Sequence, residues 1–162
     1  MSTSNDTLAR PFAGSNPGTV SHLMIVHPRY APDLISGQKS VESRLGKDRR
    51  TPFGRVNPGD LVYIKSTGGP VFAAATVERV DEFEDLSSKD IDHLRTNYED
   101  RIRGGEAYWA SKADAKFATL VWLGSVRPIA DASCVPAELL KPSRNAWRTL
   151  ASAIEDTSRK AA

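Results

Sequence analysis

The chain of 162 residues has one cysteine, three histidines and no long apolar run. The single cysteine, Cys134, excludes a disulfide within the chain and a zinc site built from several cysteines. No apolar stretch approaches the roughly 20 residues that a membrane-spanning helix requires. We therefore do not expect a membrane protein, and we predict a cytoplasmic location.

Signatures of cofactor chemistry are also missing. The histidines, His22, His27 and His93, are scattered and have no clustered carboxylates beside them. No glycine-rich phosphate loop stands between a predicted strand and a helix, and no nucleophile elbow is present. We predict neither a metal site nor a cofactor.

The composition that remains is ordinary for a soluble globular protein, with 40% apolar and 26% charged residues and a net charge of +2. The length suits one domain with its own core. Residues 1–19 are rich in Ser, Thr, Asn, Pro and Gly and lack the apolar core of a signal peptide, which predicts a flexible leader. We place the domain at residues 20–155 and a frayed tail at residues 156–162.

Short β-rich segments separated by glycine turns alternate with two amphipathic stretches. The pattern predicts strands at 22–26, 40–45, 61–65, 71–80 and 117–126, with a hairpin joining the third and fourth. It predicts helices at 28–36 and from Ser87 or Ser88 to Arg103, and a short helix or turn at 106–112. Trp147, Leu150 and Ile154 share one face of a final helix that Ser143 would cap. This order favours an α+β fold built on a small curled sheet or barrel.

The most informative stretch joins the first helix to the second strand. Gly37 can adopt the left-handed conformation that ends a helix. Glu42 and Arg44 then fall on one face of the strand, with Lys39 at the mouth of the cluster. An arginine offers a rigid fork of donors and a glutamate accepts from amino groups, so the three side chains are candidates for binding a polar planar ligand. Alternatively, Glu42 and Arg44 form an ion pair on a solvated strand face.

Cations and aromatic residues elsewhere indicate a possible contact with nucleic acid. The segment from Arg44 to Arg55 is basic, and an acidic segment follows between Glu78 and Asp85. Aromatic faces beside cations suit the bases and phosphates of single-stranded RNA. The candidates are Arg49, Arg50, Tyr108, Trp109, Lys112 and Arg144. The alternatives are a solvated loop and tryptophans that anchor the core.

Four segments together resemble the ASCH domain, a family of the PUA-like superfamily. They are Gly37-x-Lys39-x-x-Glu42-x-Arg44, the turn Pro58-Gly59-Asp60, the pair Tyr108-Trp109 and the strand Thr119-Leu120-Val121-Trp122-Leu123. The resemblance covers residues 20–150. It implies a small PUA-like β-barrel flanked by helices, with a cleft beside the helix-to-strand junction.

The resemblance also implies a ligand class, because family members are proposed to bind RNA or modified nucleosides in that cleft. Lys39, Glu42 and Arg44 would then line the ligand site. Some relatives are amidohydrolases that use the motif lysine with a threonine three residues on, and others are described as metal-dependent ribonucleases. Here Glu42 stands where that threonine would be, so the nucleophile is missing.

We therefore predict a binding module for single-stranded RNA or a nucleotide-like ligand. Lys39, Glu42, Arg44, Arg49, Arg50, Tyr108, Trp109, Lys112 and Arg144 are its candidate contacts. The alternative is a small amidohydrolase or nuclease in which Lys39 and Glu42 are catalytic, and whether the chain is an enzyme stays open. A third possibility is an adaptor that binds another protein. The sequence does not determine the oligomeric state.

Overall fold

A computed structural model describes residues 19–150. Residues 1–18 of the predicted leader, the predicted tail and Ile154 lie outside this range. The strands are β1 (Ser21–Val26), β2 (Val41–Gly46), β3 (Leu61–Ser66), β4 (Val71–Phe83), β5 (Phe117–Leu123), β6 (Arg127–Pro128) and β7 (Trp147–Leu150). The α-helices are α1 (Ala31–Ser36), α2 (Ser88–Ile102) and α3 (Glu106–Ser111). None of these helices is long and apolar enough to span a bilayer.

The strands form one curled mixed sheet in the order β2-β5-β4-β3-β1-β7, and β6 pairs with β4. Only β1 and β3 run parallel; the other pairs are antiparallel. The long strand β4 pairs with β3 through its first half and with β5 through its second half. The sheet curls into a half-barrel, and the predicted α+β fold is confirmed.

Apolar side chains pack on both faces of this sheet. The interior of the half-barrel contains Met24, Ile64 and Val121, whereas a second cluster lies between β2, β5 and the helices α2 and α3. The three alanines at 73–75 are at most 1% exposed and face two different clusters in alternation. Their small side chains therefore fill the places where β4 is covered on both faces.

Helix α2 ends where the candidate site begins. Ser87, one of the two caps that the sequence predicts, begins the helix, and it forms a capping box with Asp90. At the other end, the carboxylate of Glu99 accepts hydrogen bonds from the backbone nitrogens of Gly104 and Gly105 and from Nε1 of Trp109, at 2.8, 2.8 and 2.9 Å. These bonds fix the turn between α2 and α3 and thereby the position of α3.

The predicted final helix is wrong, because Trp147–Leu150 forms β7, antiparallel to β1. Trp147 and Leu150 are three residues apart and therefore face opposite sides of β7: Trp147 is buried in the interior of the half-barrel, and Leu150 is partly buried against another cluster. The indole of Trp147 is 2% exposed and its Nε1 donates to Nδ1 of His22 on β1 at 3.1 Å. This long-range contact decides the conformation of the segment, and the local sequence does not contain it.

His22 is the centre of a buried polar network that holds β7 and the Asn57–Asp60 turn to β1. Its ring is 0% exposed. Since the indole of Trp147 can only donate, Nδ1 of His22 accepts, and Nε2 donates to Oδ2 of Asp60 at 2.8 Å. The same carboxylate oxygen accepts from the backbone nitrogen of Asn57 at 2.9 Å.

We predict that His22→Leu lowers the free energy of unfolding by about 3–5 kcal/mol, because it leaves a buried carboxylate and a buried indole N–H without their partner. Urea denaturation followed by tryptophan fluorescence measures the change. The matched control is His93→Leu on the exposed surface of α2, for which we expect a change within about 0.5 kcal/mol. Equal stability of the two variants would contradict the proposed role of the network.

Candidate ligand-binding cleft

A cleft of about 580 Å³ lies where the sheet does not close. Strands β2 and β7 are the two ends of the strand order, and no backbone pairing joins them within residues 19–150. The side chain of Arg44 on β2 bridges this gap. Its Nη2 donates to the carbonyl oxygen of Ile25 on β1 at 2.9 Å, and its guanidinium lies 5.5 Å from the ring centre of Trp147 on β7.

Glu42 lies at the floor of the cleft between two cations. Its Oε1 accepts from Nε of Arg44 at 2.9 Å, and its Oε2 is 3.2 Å from Nζ of Lys39. The glutamate is 7% exposed. Lys39, Glu42 and Arg44 therefore converge, as the spacing along the strand predicts.

The environment of Glu42 keeps its carboxyl group ionised. Burial by itself would raise the pKa of this carboxyl, but the charges of Lys39 and Arg44 and their hydrogen bonds outweigh burial and hold the pKa below its usual value of 4.5. At neutral pH the floor of the cleft is thus a carboxylate. It can accept hydrogen bonds from a ligand and cannot donate one.

The expected position of Lys39 at the mouth of the cluster is wrong. Its side chain is buried behind Glu42 and is not among the residues that line the cleft. Besides Glu42, Nζ contacts the carbonyl oxygens of Val41 at 3.1 Å and Ile102 at 2.6 Å. An ammonium group has three protons to donate, and protein acceptors occupy all three.

The Nη1 group of Arg44, with its two N–H donors, remains available to a ligand. Nε binds Glu42 and Nη2 binds the carbonyl of Ile25, but Nη1 has no hydrogen-bond partner among residues 19–150. Arg44 also lines the cleft. The floor therefore presents a carboxylate and a guanidinium N–H side by side.

The basic loop after β2 reaches the cleft only in part. Lys47, Asp48 and Arg50 line it, whereas Arg49 does not. Arg49 instead donates to Glu84 at 2.8 Å. The acidic stretch at the end of β4 thus neutralises part of the positive charge of the basic loop, which the sequence predicts to bind phosphates.

The aromatic candidates are divided between the cleft and the core. Tyr108 lines the cleft, and its hydroxyl is 2.6 Å from Oγ of Ser43. The stacking role expected for Trp109 is wrong, because this residue is 3% exposed and packs against α2. Its Nε1 donates a hydrogen bond to the carboxylate of Glu99. Arg144 is exposed in the loop before β7 and is not among the lining residues.

Neither the known protein-family models nor the curated proteins contain a match to the sequence. Crystal structures of ASCH from Zymomonas mobilis are similar in fold. The unmodified protein has a TM-score of 0.58 at 20% identity and covers 87% of this chain and 93% of that one. A serine-to-alanine mutant gives 0.60 at 20%, covering 90% and 97%, and a tyrosine-to-phenylalanine mutant gives 0.59 at 19%, covering 87% and 96%. The chain has the ASCH fold.

Within this ASCH fold, sequence reasoning missed the aromatic wall of the cleft. Phe53 and Phe117 line it and meet edge to face, with ring centres 5.8 Å apart. Arg49 lies 5.6 Å from the centre of Phe53 and 5.5 Å from that of Phe117. Phe53 lies within the basic loop and Phe117 opens β5, so only the pairing of β2 with β5 brings them together. Thr119, His27 and Lys47 are among the other lining residues that the sequence did not single out.

Metal ligands are not grouped in the part of the chain that the structure describes. No set of three or more His, Cys, Asp or Glu side chains there has a geometry that could hold a metal ion. Glu42, Arg44 and Lys39 supply hydrogen bonds and charge at the cleft floor.

We predict that Glu42→Gln lowers the free energy of unfolding at neutral pH by about 3 kcal/mol, because the buried ammonium of Lys39 loses its counter-ion. A lowered folded-state pKa means that this contribution is present above the unfolded value of 4.5 and is lost as the pH falls through the folded value. The gap between wild type and Glu42→Gln should therefore narrow below pH 4.5 in urea denaturation.

The control for this measurement is Glu138→Gln, which removes a glutamate that is 62% exposed and paired with Lys141. We expect its stability to stay close to that of the wild type at every pH, because exposed ion pairs contribute about 0–1 kcal/mol. A gap for Glu42→Gln that is constant with pH would show that the carboxylate is not the titrating group.

Proposed function

We propose that the cleft binds a nucleotide-like ligand, with single-stranded RNA as its macromolecular form. The observation that carries the proposal is the ionised carboxylate of Glu42, held at the floor beside the available Nη1 of Arg44. A nucleobase edge or a ribose presents N–H and O–H donors that match such a carboxylate. Phosphates match the surrounding cations.

The charge of the lining supports an anionic ligand. Four cations line the cleft, Arg44, Lys47, Arg50 and Lys112, against two acids, Glu42 and Asp48. Lys39 compensates Glu42 further from behind. The excess of positive charge therefore lies at the opening, where it attracts phosphates without regard to base sequence.

The aromatic wall supports a ligand with a flat ring. Phe53 and Phe117 are half-buried and line the same cleft as Glu42. Stacking of a base on an aromatic side chain contributes about 1–3 kcal/mol. A volume of about 580 Å³ lies within the range of small-ligand sites and suits one or two nucleotides.

The geometry gives less support to an amidohydrolase or nuclease that uses Lys39 and Glu42. All three protons of the Lys39 ammonium contact protein acceptors. A carboxyl group whose pKa is held below its usual value is a weak general base. The hydroxyl of Ser43 bonds to Tyr108, and within residues 19–150 it forms no hydrogen bond with a histidine that could activate it. We therefore propose binding as the primary function.

We predict that short single-stranded RNA binds at low salt and that its affinity falls with added salt, with a slope of about −0.7 for each phosphate neutralised. Arg50→Ala should reduce the slope by about 0.7, because it removes one cation from the lining. Fluorescence anisotropy of a labelled oligonucleotide across a salt series measures both effects.

The matched control is Lys141→Ala. Like Arg50, Lys141 is an exposed cation with an acidic neighbour; the side chain of Arg50 is 84% exposed and that of Lys141 is 67% exposed. Lys141 is not among the residues that line the cleft. We expect Lys141→Ala to leave both affinity and slope unchanged. Negligible RNA binding by the wild type at low salt would refute the proposed function.

We predict that Phe53→Leu weakens RNA binding about fivefold, because leucine keeps apolar volume and removes the stacking face. Phe83→Leu is the matched control, since Phe83 is also half-buried but packs against the cluster under α2 and α3. The same anisotropy assay compares the two. If both variants bind RNA as tightly as the wild type does, Phe53 does not stack on the ligand.

A further inference from the structure

Two cations face the cleft without an acid to neutralise them fully. Lys112 lines the cleft and lies over the ring of Tyr108, with Nζ 5.6 Å from the ring centre. No carboxylate within residues 19–150 lies within 4.0 Å of this Nζ. Arg44 lines the same cleft and shares its charge with Glu42, but its Nη1 has no partner in that range.

The two cations are close enough to influence each other. Burial lowers the pKa of the Lys112 ammonium, and the positive charge of Arg44 lowers it further. Such mutual repulsion disfavours the free protein and is relieved when an anion binds between the two charges. The acid at the floor of the cleft, Glu42, already forms ion pairs with Lys39 and Arg44.

We propose that Nζ of Lys112 and Nη1 of Arg44 form a seat for a phosphomonoester, whose attached nucleoside contacts Glu42. The proposal rests on the proposed function and specifies the ligand class: a single nucleotide that carries a terminal phosphate. Tyr108 sets the position of Lys112 from below. Its ring lies under the ammonium, and its hydroxyl donates to the carbonyl oxygen of Ser43 at 3.2 Å.

The charge of the ligand distinguishes a phosphomonoester from a phosphodiester. A phosphomonoester carries a charge of about −1.5 to −2 at neutral pH and has three terminal oxygens, so it can accept from an ammonium and a guanidinium at once. An internal phosphodiester carries one charge. Two cations therefore favour a terminal phosphate.

Glu42 fixes the direction in which such a nucleotide lies. Its carboxylate repels a phosphate and attracts a donor, so the phosphate goes to the side of Lys112 and the base or ribose goes to the floor. The volume of about 580 Å³ admits one nucleotide in this orientation. A free nucleoside monophosphate and the phosphorylated end of an RNA strand both present this chemistry.

The test compares ligands that differ only in the terminal phosphate. Adenosine and adenosine monophosphate form one pair, and a short single-stranded RNA with and without a 5′-phosphate forms the other. Isothermal titration calorimetry measures each affinity. We expect the phosphate to increase affinity at least tenfold within at least one pair, since about tenfold is the contribution of a single charged hydrogen bond. The pair that shows the gain identifies the source of the phosphate.

The variant Lys112→Met isolates the contribution of the seat. It keeps an unbranched apolar stem over Tyr108 and removes the ammonium, so we expect it to abolish the gain from the phosphate, which is the ratio of the two affinities within a pair. The control is Lys141→Met, which changes an exposed lysine outside the cleft and should preserve the gain in affinity from the phosphate. A gain that survives Lys112→Met would overturn the assignment of the phosphate to Lys112.

A second measurement does not depend on affinity for a nucleoside. In protein with ¹³C-labelled lysine, the titration of Lys112 is followed by NMR with and without inorganic phosphate, and Lys112→Met assigns its signal. We expect phosphate to shift the Lys112 titration to higher pH, because a bound anion favours the charged ammonium. An unchanged titration would overturn the seat.

The outcomes separate the seat from the proposed function. RNA that binds, with equal affinities within both ligand pairs and an unchanged Lys112 titration, overturns the seat and leaves the nucleotide-binding cleft. A protein that binds none of the four ligands overturns both. A phosphate gain that Lys112→Met removes supports both.

Discussion

The structure around the cleft depends on the ionic contact of Glu42 with Lys39 and Arg44. Nζ of Lys39 also binds the carbonyl of Ile102, the last residue of α2, and the backbone nitrogen of Ser40 binds the carbonyl of Arg101. The carboxyl end of a helix carries unpaired carbonyls and a partial negative charge, which a cation stabilises. One ammonium thus joins the end of α2 to the start of β2, and Glu42 continues the contact to Arg44.

Within residues 19–150 the backbone leaves the half-barrel open between β2 and β7. The side chain of Arg44 bridges this opening, because it binds the carbonyl oxygen of Ile25 on β1 and contacts the ring of Trp147 on β7. Buried charges of this kind are costly to desolvate, and they persist where each member has partners. The same contacts leave Nη1 of Arg44 without a hydrogen-bond partner within residues 19–150, and both Glu42 and Arg44 line the cleft. Under the proposed function, stability and ligand recognition would therefore be coupled at this floor, because the same side chains serve both.

The sequence predicts the contacts of the site between residues that are close together along the chain. Gly37, with φ of 83°, ends α1 and delivers Lys39, Glu42 and Arg44 within eight residues, so their convergence follows from helix-end and strand geometry. The burial of Lys39 does not follow, because its acceptor Ile102 is 63 residues away. The same reason applies to Trp147, whose strand conformation depends on β1, and to the pairing of Phe53 with Phe117. Tertiary contacts set these positions, and a short segment with ambiguous periodicity does not encode them by itself.

Short-range and long-range electrostatics have separate roles in this cleft. Lys39 cancels much of the field of Glu42 from the protein side, so the carboxylate acts on a ligand mainly through direct hydrogen bonds at the floor. Lys47 and Arg50 act at the exposed opening. At physiological ionic strength, dissolved salt screens their charges beyond a Debye length of about 8 Å. Added salt therefore removes the sequence-independent attraction before it weakens the contacts of Glu42 and Arg44. Under the proposed function, discrimination between ligands would therefore depend on the buried floor, and the rate and strength of capture would depend on the opening.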